Sequence, residues 1–149
     1  MLTFCISLFS FAKSQSSYQY ECLSVGEDGY VTIKIWNSQK GKNYKLEQAQ
    51  KDAVYVIVFS GIAPTNGCIT QKPILQQTEE QAKFKNIEKN FFKANGDYLT
   101  YVRSSETSTT IPVNLGEKDW KVFQISVAKN LLRKYFQDKK IVKPLNTGF

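Results

Sequence analysis

Apolar and polar positions alternate most clearly in two stretches near the start of the chain. In YVTIKIW at residues 30–36, β-branched apolar residues occupy every second position, which is the period of a strand with one buried face. YECLSV at residues 20–25 precedes this stretch, and the four residues from Gly26 to Gly29 suit a tight connection. The pattern therefore predicts a β-hairpin.

A helical period follows in KLEQAQKDAVYVIVFSG at residues 45–61. The spacing of its apolar positions predicts one long helix, with Asn43 capping the start and Gly61 supplying the left-handed residue at the end. Its second half, VYVIVF, also has the β-branched content of a strand. A short helix followed by a buried strand is the alternative. Residues 62–77 contain two prolines and a glycine, and they predict a loop.

Two further helices are predicted downstream. Thr78 and Gln81 have the spacing of a capping box, and the helix that they start should end at Asn95-Gly96 with one apolar face: Phe84, Ile87 and Phe91. Ser126 is the predicted N-cap of the last helix, whose buried stripe comprises Leu131, Leu132, Tyr135 and Phe136.

The remaining segments complete a sheet. YLTYVR at 98–103 and residues 120–127 each predict a strand. The Ser/Thr-rich residues 104–112 between them predict a polar loop or edge segment, and residues 143–149 are expected to form a tail or an added edge segment. The element order is β-β-α-α-β-β-α. It predicts an α+β two-layer sandwich, with about four mainly antiparallel strands and two or three helices on one face.

The first residues, MLTFCISLFSFAKSQ, have the pattern of an export signal. The apolar run is too short to span a bilayer as a helix, but it fits the apolar region of a signal peptide, with Ala12 and Ser14 placed for cleavage before Gln15. Residues 1–14 are therefore predicted to be a signal peptide and residues 15–149 a single α+β domain. Because the run lacks a basic start and is rich in β-formers, a start further upstream and a buried N-terminal strand are the alternatives.

Export sets the expected state of the cysteines. Cys5 would leave with the signal, and the remaining Cys22 and Cys68 form an even pair that predicts one disulfide in a periplasmic or extracellular protein. Two unpaired, buried thiols are the alternative. No transmembrane span is predicted once the signal is removed.

Composition narrows the chemistry further. The 20 basic and 13 acidic residues give a net charge of +7, which favours anionic partners, although the lysines are spread along the chain. The absence of histidine removes His-dependent catalysis and the commonest transition-metal ligand. No phosphate-binding loop or EF-hand pattern occurs. We therefore expect neither a cofactor nor a metal.

The most useful candidate for binding lies on the predicted strand at 30–36. Tyr30, Thr32, Lys34 and Trp36 share its polar face, and Tyr and Trp on an open strand face suit a protein, glycan or peptide partner. Nucleic acid is disfavoured because no RNP-type motif is present.

Catalytic candidates are weaker. Cys68 near Lys72 is the one possible nucleophile. The carboxylate pairs Glu79-Glu80 and Glu27-Asp28 are explained by a helix start and by a turn.

Three segments, KDAVYVIVFSGI, TSTTIPVNLGEKDWKVF and KPLNTGF, resemble those of small uncharacterised exported proteins of Gram-negative gut bacteria. The helix followed by strands is more distantly similar to α/β modules of envelope lipoproteins associated with curli-type secretion, although this chain lacks a suitably placed lipidated cysteine. The resemblance implies a non-catalytic accessory or binding protein of the cell envelope, with an envelope protein or surface component as partner. The alternatives are a small hydrolase using carboxylates or Cys68, and a cationic binder of anionic lipid, glycan or nucleic acid.

Overall fold

One antiparallel sheet of four strands organises the molecule, in the order β1-β2-β4-β3. The computed structural model describes residues 17–65, 67–105 and 121–145. The strands are β1 (Tyr18–Val25), β2 (Tyr30–Asn37), β3 (Val102–Ser105) and β4 (Val122–Ala128). Several predicted segments lie outside the described residues: the signal, the polar segment after Ser105, Trp120 and the end of the tail.

The hairpin of β1 and β2 is confirmed. Val31, Ile33 and Ile35 are fully buried on one face of β2, and the residues between them are half-buried on the other. A register shift between Cys22 and Ser24 marks a bulge in β1, which bends this edge strand locally.

The long helix predicted over 45–61 is also confirmed as one continuous helical segment. Helix α1 (Leu46–Tyr55) continues into a wider π-helical turn at Val56–Ser60 and ends at Gly61. Two carbonyls of this turn are hydrogen-bonded by the loop that follows: the Ile74 N–H donates to the Ile57 carbonyl at 3.2 Å and the Leu75 N–H to the Val58 carbonyl at 2.9 Å. A buried strand in this place is thereby excluded.

The capping predictions were wrong by small shifts along the chain. Asn43 lies in a 3-10 turn, and Lys45 occupies the N-cap of α1 without a side-chain capping bond. Thr78 is the first helical residue of α2 (Thr78–Phe91), and the capping box joins Gln77 and Glu80 instead. Glu80 Oε2 accepts the Gln77 N–H at 3.1 Å.

The last helix, α3 (Lys129–Asp138), begins later than predicted. Ser126 remains within β4, so it is not the N-cap, and Ala128 takes that position. Leu132 and Phe136 are fully buried, but Leu131 is 54% exposed. Because successive helical residues point about 100° apart, the stripe that buries Leu132 turns Leu131 to solvent.

The strand predicted at 98–103 was wrong over most of its length. Residues Asp97–Tyr101 form a 3-10 turn, and β3 begins only at Val102. Tyr98 is 1% exposed and packs with its ring centroid 5.6 Å from that of Phe92. This tertiary contact overrides the strand propensity of the segment.

The predicted α+β two-layer fold is confirmed: three helices pack against an open four-stranded antiparallel sheet. The buried residues of β2 and β4 meet α1, while an aromatic cluster fills the space among α2, α3 and the 3-10 turn. The members of that cluster include Phe84, Phe91, Phe92, Tyr98 and Phe136.

The predicted Cys22–Cys68 disulfide is present, with the Cα atoms 6.3 Å apart. It joins the bulged part of β1 to the loop after α1. In that loop, Ile62 and Gln71 pair as an isolated antiparallel bridge. The disulfide therefore fixes a segment that has little regular structure of its own.

Candidate binding face of the sheet

Strand alternation gathers the four predicted binding residues on the side of the sheet away from the buried core. Tyr30, Thr32, Lys34 and Trp36 are half-buried, alternating with the buried positions of β2. The cross-strand register adds side chains from the three other strands to this side. We call the combined surface the open face: Gln19, Glu21, Ser24, Tyr30, Thr32, Lys34, Trp36, Arg103, Ser105, Gln124 and Ser126.

Lys34 organises the Trp36 end of the open face. Its Nζ lies 3.7 Å from Glu21 Oε2 on the neighbouring strand and 5.8 Å from the centroid of the Trp36 ring. These groups are partly exposed, so the pair contributes little to stability. The contacts orient the three side chains.

Arg103 organises the Tyr30 end. Its guanidinium carbon lies 4.3 Å from the centroid of the Tyr30 ring, a cation–π contact that does not use the guanidinium N–H groups as hydrogen-bond donors to another polar atom. Beside it, the hydroxyls of Thr32 and Ser126 lie 2.7 Å apart in a hydrogen bond. At the hairpin turn, the Tyr30 N–H donates to Asp28 Oδ1 at 3.2 Å.

These groups surround a shallow depression of about 230 Å³, which we call the Tyr30 depression. Its lining consists of Ser24, Gly26, Asp28, Tyr30, Thr32, Arg103 and Ser126. Three hydroxyls, one carboxylate and one guanidinium therefore converge beside one aromatic ring. Of these lining residues, the sequence predicted only Tyr30 and Thr32 as binding residues. The others are brought to the depression by the hairpin turn and by the pairing of β2 with its neighbouring strands, which the sequence pattern does not show.

The charges at this site balance. Among the described residues on the open face and around the Tyr30 depression, Glu21 and Asp28 oppose Lys34 and Arg103. The whole chain carries +7, so its excess positive charge lies elsewhere.

Part of that excess gathers at the start of α1. Lys40, Lys45 and Lys51 line a second depression of about 480 Å³, together with Asn43, Glu47 and Gln48. Lys51 already pairs with Glu47 at 2.9 Å. This location is separate in sequence from the strands of the open face.

Three of the catalytic candidates named from the sequence are engaged in structural interactions: Cys68, Glu79 and Glu80. Cys68 is bonded to Cys22, so it offers no thiol while the bond is intact. Glu79 pairs with Lys83 at 2.9 Å, and the bond from that lysine lowers the pKa of the carboxyl. Glu80 is used in capping α2. Each of these side chains has a structural partner that explains it.

A buried tyrosine with a more strongly shifted pKa lies in the core. The hydroxyl of fully buried Tyr44 donates to Asp52 Oδ2 at 2.7 Å, and Gln48 Nε2 donates to Asp52 Oδ1 at 2.8 Å. Burial, followed by the bond to Asp52, raises the pKa of Tyr44. The pair joins the segment before α1 to the body of that helix and has a structural role.

Residues 17–65, 67–105 and 121–145 contain no group of three or more His, Cys, Asp or Glu side chains placed to hold a metal ion. None of the helices in these same ranges combines the length and the apolar character that crossing a membrane requires. Comparison of the chain with protein-family models, curated proteins and solved structures finds no match. The geometry of the site is therefore the basis for proposing a function.

Proposed function

We propose that this chain is an exported, non-catalytic accessory protein of the bacterial cell envelope, which binds an envelope protein or surface component through its open face. The observation that carries the proposal is the open face itself. Two half-buried aromatic rings and a row of hydroxyl and amide groups lie side by side on a sheet whose other face is packed against helices. Aromatic residues with polar neighbours are typical of surfaces that bind a partner.

Export is supported by the disulfide. Bonds of this kind persist in oxidising compartments and are rare in the cytosol. The Cys22–Cys68 bond is compatible with a periplasmic or extracellular location, as is the signal-like pattern of residues 1–14.

A cationic binder is the second candidate, and a specific observation favours it. The depression lined by Lys40, Lys45 and Lys51 has an excess of basic side chains. Attachment of an anionic surface there would weaken steeply with salt, whereas binding at the charge-balanced open face would change little. Ionic strength therefore separates the two candidates.

The proposal is tested by site-specific photocrosslinking in the producing cells. A photoreactive phenylalanine analogue replaces Trp36 in one strain and Ser105 in another, so that two strands of the open face, β2 and the edge strand β3, are sampled. The matched control carries the analogue at Lys85, which is exposed on α2. We expect an adduct of one defined size from Trp36 and Ser105 and a much weaker one from Lys85.

Equal crosslinking from all three positions, or none from the open face in correctly folded protein, would contradict this function. Thermal unfolding of each purified variant verifies its folding. Mass spectrometry of the adduct then identifies the partner as a protein or as another envelope component.

A further inference from the structure

We propose that the Tyr30 depression binds one sugar unit of an uncharged glycan. This inference deepens the proposed function and rests on it, because it assigns a ligand class to one end of the open face. The lining side chains carry the argument through their hydrogen-bonding chemistry, their charge and the space that they enclose.

The hydrogen-bonding groups match a ligand rich in hydroxyls. Asp28 accepts hydrogen bonds only and Arg103 donates only, while a serine or threonine hydroxyl does both. Sugar hydroxyls also donate and accept, so a pair of neighbouring ones can donate to Asp28 and accept from Arg103. Ser24, Thr32 and Ser126 provide further groups of the same kind around the depression.

Both charged groups have bonding capacity to spare. Among the described residues, Asp28 forms one hydrogen bond, through Oδ1 to the Tyr30 N–H. Its second oxygen, Oδ2, makes none within the same part of the chain. Arg103 contacts the Tyr30 ring but has no ion pair or hydrogen bond to any residue in the described ranges. The two opposite charges thus line one depression without neutralising each other.

The balance of charge argues against an anionic ligand. A phosphate, sulfate or carboxylate would gain from Arg103 but would be repelled by Asp28 in the same lining. An uncharged ligand avoids this repulsion and can use both side chains. It also avoids transferring an unpaired charge from water to a partly buried site.

The size of the depression limits the ligand to a single small ring. Its volume of about 230 Å³ is below the ~300–1,000 Å³ of typical small-molecule sites. The remainder of a glycan chain can continue along β2 towards Trp36. Tyr30 and Trp36 are six residue-to-residue steps apart on β2, a distance of ~20 Å at ~3.3 Å per step, so several sugar units fit between the two aromatic rings.

Calorimetric titration of the exported protein with defined oligosaccharides tests the inference. The probes are uncharged glucose, galactose and N-acetylglucosamine oligomers, with uronic-acid and sulfated oligomers of the same length as the anionic arm. We expect binding of at least one uncharged oligomer that changes by less than about twofold with added salt. Binding of the anionic probes alone, with a steep salt dependence, would overturn the proposal in favour of an oxyanion site.

Two substitutions locate the binding. Asp28→Asn keeps an oxygen for the Tyr30 N–H, and Arg103→Gln removes the guanidinium; each is expected to weaken the binding about tenfold, as the loss of a hydrogen bond to a charged group predicts. The matched controls are Glu27→Gln, the neighbouring exposed turn residue, and Lys85→Gln on α2. They make the same changes of charge and should alter the affinity less than about twofold.

The outcomes separate this inference from the proposed function. If no glycan binds while Trp36 still crosslinks to a partner, the sugar site is wrong and the open face remains a binding surface. If glycan binding is unaffected by both Asp28→Asn and Arg103→Gln, the site lies elsewhere and the inference also fails. If neither glycan binding nor crosslinking occurs, both the sugar site and the proposed function are contradicted.

Discussion

Gly61 ends the helical segment in a conformation that suits only glycine. Its φ is 70° and its ψ is −172°, a region that side chains with a Cβ avoid. A Cβ there would lie 2.3 Å from the Gln71 carbonyl oxygen. We expect Gly61→Ala to lower the free energy of unfolding by more than about 1 kcal/mol, the usual cost of the backbone strain alone, as measured by urea denaturation.

Gly67 provides the matched control for this prediction. It also has a positive φ, of 82°, but apart from its chain neighbours no atom of the described residues lies within 4 Å of an added Cβ. Gly67→Ala should therefore lower the free energy of unfolding only by the cost of placing alanine at a positive φ, about 1 kcal/mol. Equal effects of the two substitutions would show that the contact with Gln71 does not constrain Gly61.

The Tyr44 hydroxyl is the second residue-scale feature with a measurable consequence. Tyr44→Phe removes a donor from Asp52, which is only 7% exposed and would keep Gln48 as its hydrogen-bonding partner. The expected loss is about 1–3 kcal/mol, the cost of leaving a buried polar group under-satisfied. Chemical denaturation measures it, and Tyr101→Phe is the control because the Tyr101 hydroxyl makes no hydrogen bond within the described structure.

At the scale of elements, the disulfide connects a sheet edge to an irregular loop. Replacing Cys22 and Cys68 together by alanine should lower the free energy of unfolding by about 2–4 kcal/mol, because the unfolded chain regains the freedom of an unclosed loop. Limited proteolysis should then cut first between Gly61 and Leu75. A thiol reductant should reproduce both effects in the unmodified protein, and an unchanged urea midpoint after reduction would contradict the prediction.

Elements dominated by local pattern were predictable from sequence. The hairpin followed from strict alternation and a glycine-bounded turn, and the helix through Val56 followed from an uninterrupted helical period. Residues 98–101 were not predictable, since packing of Tyr98 against the aromatic cluster decides their conformation. The helix starts could not be placed to the residue, because the observed N-caps Lys45 and Ala128 form no side-chain capping bond that a sequence pattern could reveal.

The candidate site, too, was predictable from the sequence only where the local pattern determines it. Sequence alternation placed Tyr30, Thr32, Lys34 and Trp36 on one strand face, and that geometry is found. Arg103 and Ser126 could not be assigned to the same surface, because the pairing of β2 with β4 and of β4 with β3 joins residues far apart in the chain. The sequence therefore predicted the contribution of β2 to the open face, but the contributions of β3 and β4 depend on the strand order of the sheet.

For the molecule as a whole, the distribution of charge matters more than its sum. A net +7 suggests an anionic partner, yet the open face balances its charges and a lysine cluster lies at the start of α1. These two surfaces of the chain can therefore serve different partners. Of these two surfaces, the one formed by Lys40, Lys45 and Lys51 should lose more of its binding as the ionic strength rises.

Alkaline pH should destabilise the folded protein. Burial raises the pKa values of Tyr44, Tyr55 and Tyr135 above their ordinary value. Hydrogen bonds raise these pKa values further: Tyr44 bonds to Asp52, Tyr55 to Glu88 and Tyr135 to Asp97. Unfolded tyrosines release their protons near about pH 10, while these folded ones retain them. Their contribution to stability is therefore complete below about pH 10 and is lost progressively as the pH rises above that value. Lys129 has a pKa lowered by burial and acts in the opposite direction, but it is a single group, whereas burial also raises the pKa values of Tyr98 and Tyr101.

Urea denaturation at a series of pH values between about 8 and 11 measures this effect. We expect a flat free energy of unfolding at the lower end and a decline above about pH 10, to which Tyr44 alone contributes up to about 1.4 kcal/mol per pH unit. Tyr44→Phe is less stable throughout, but it lacks this titrating phenol, so its decline with pH should be shallower. A slope identical to that of the unmodified protein would show that Tyr44 titrates equally in both states, and hence that its burial with Asp52 does not couple folding to pH.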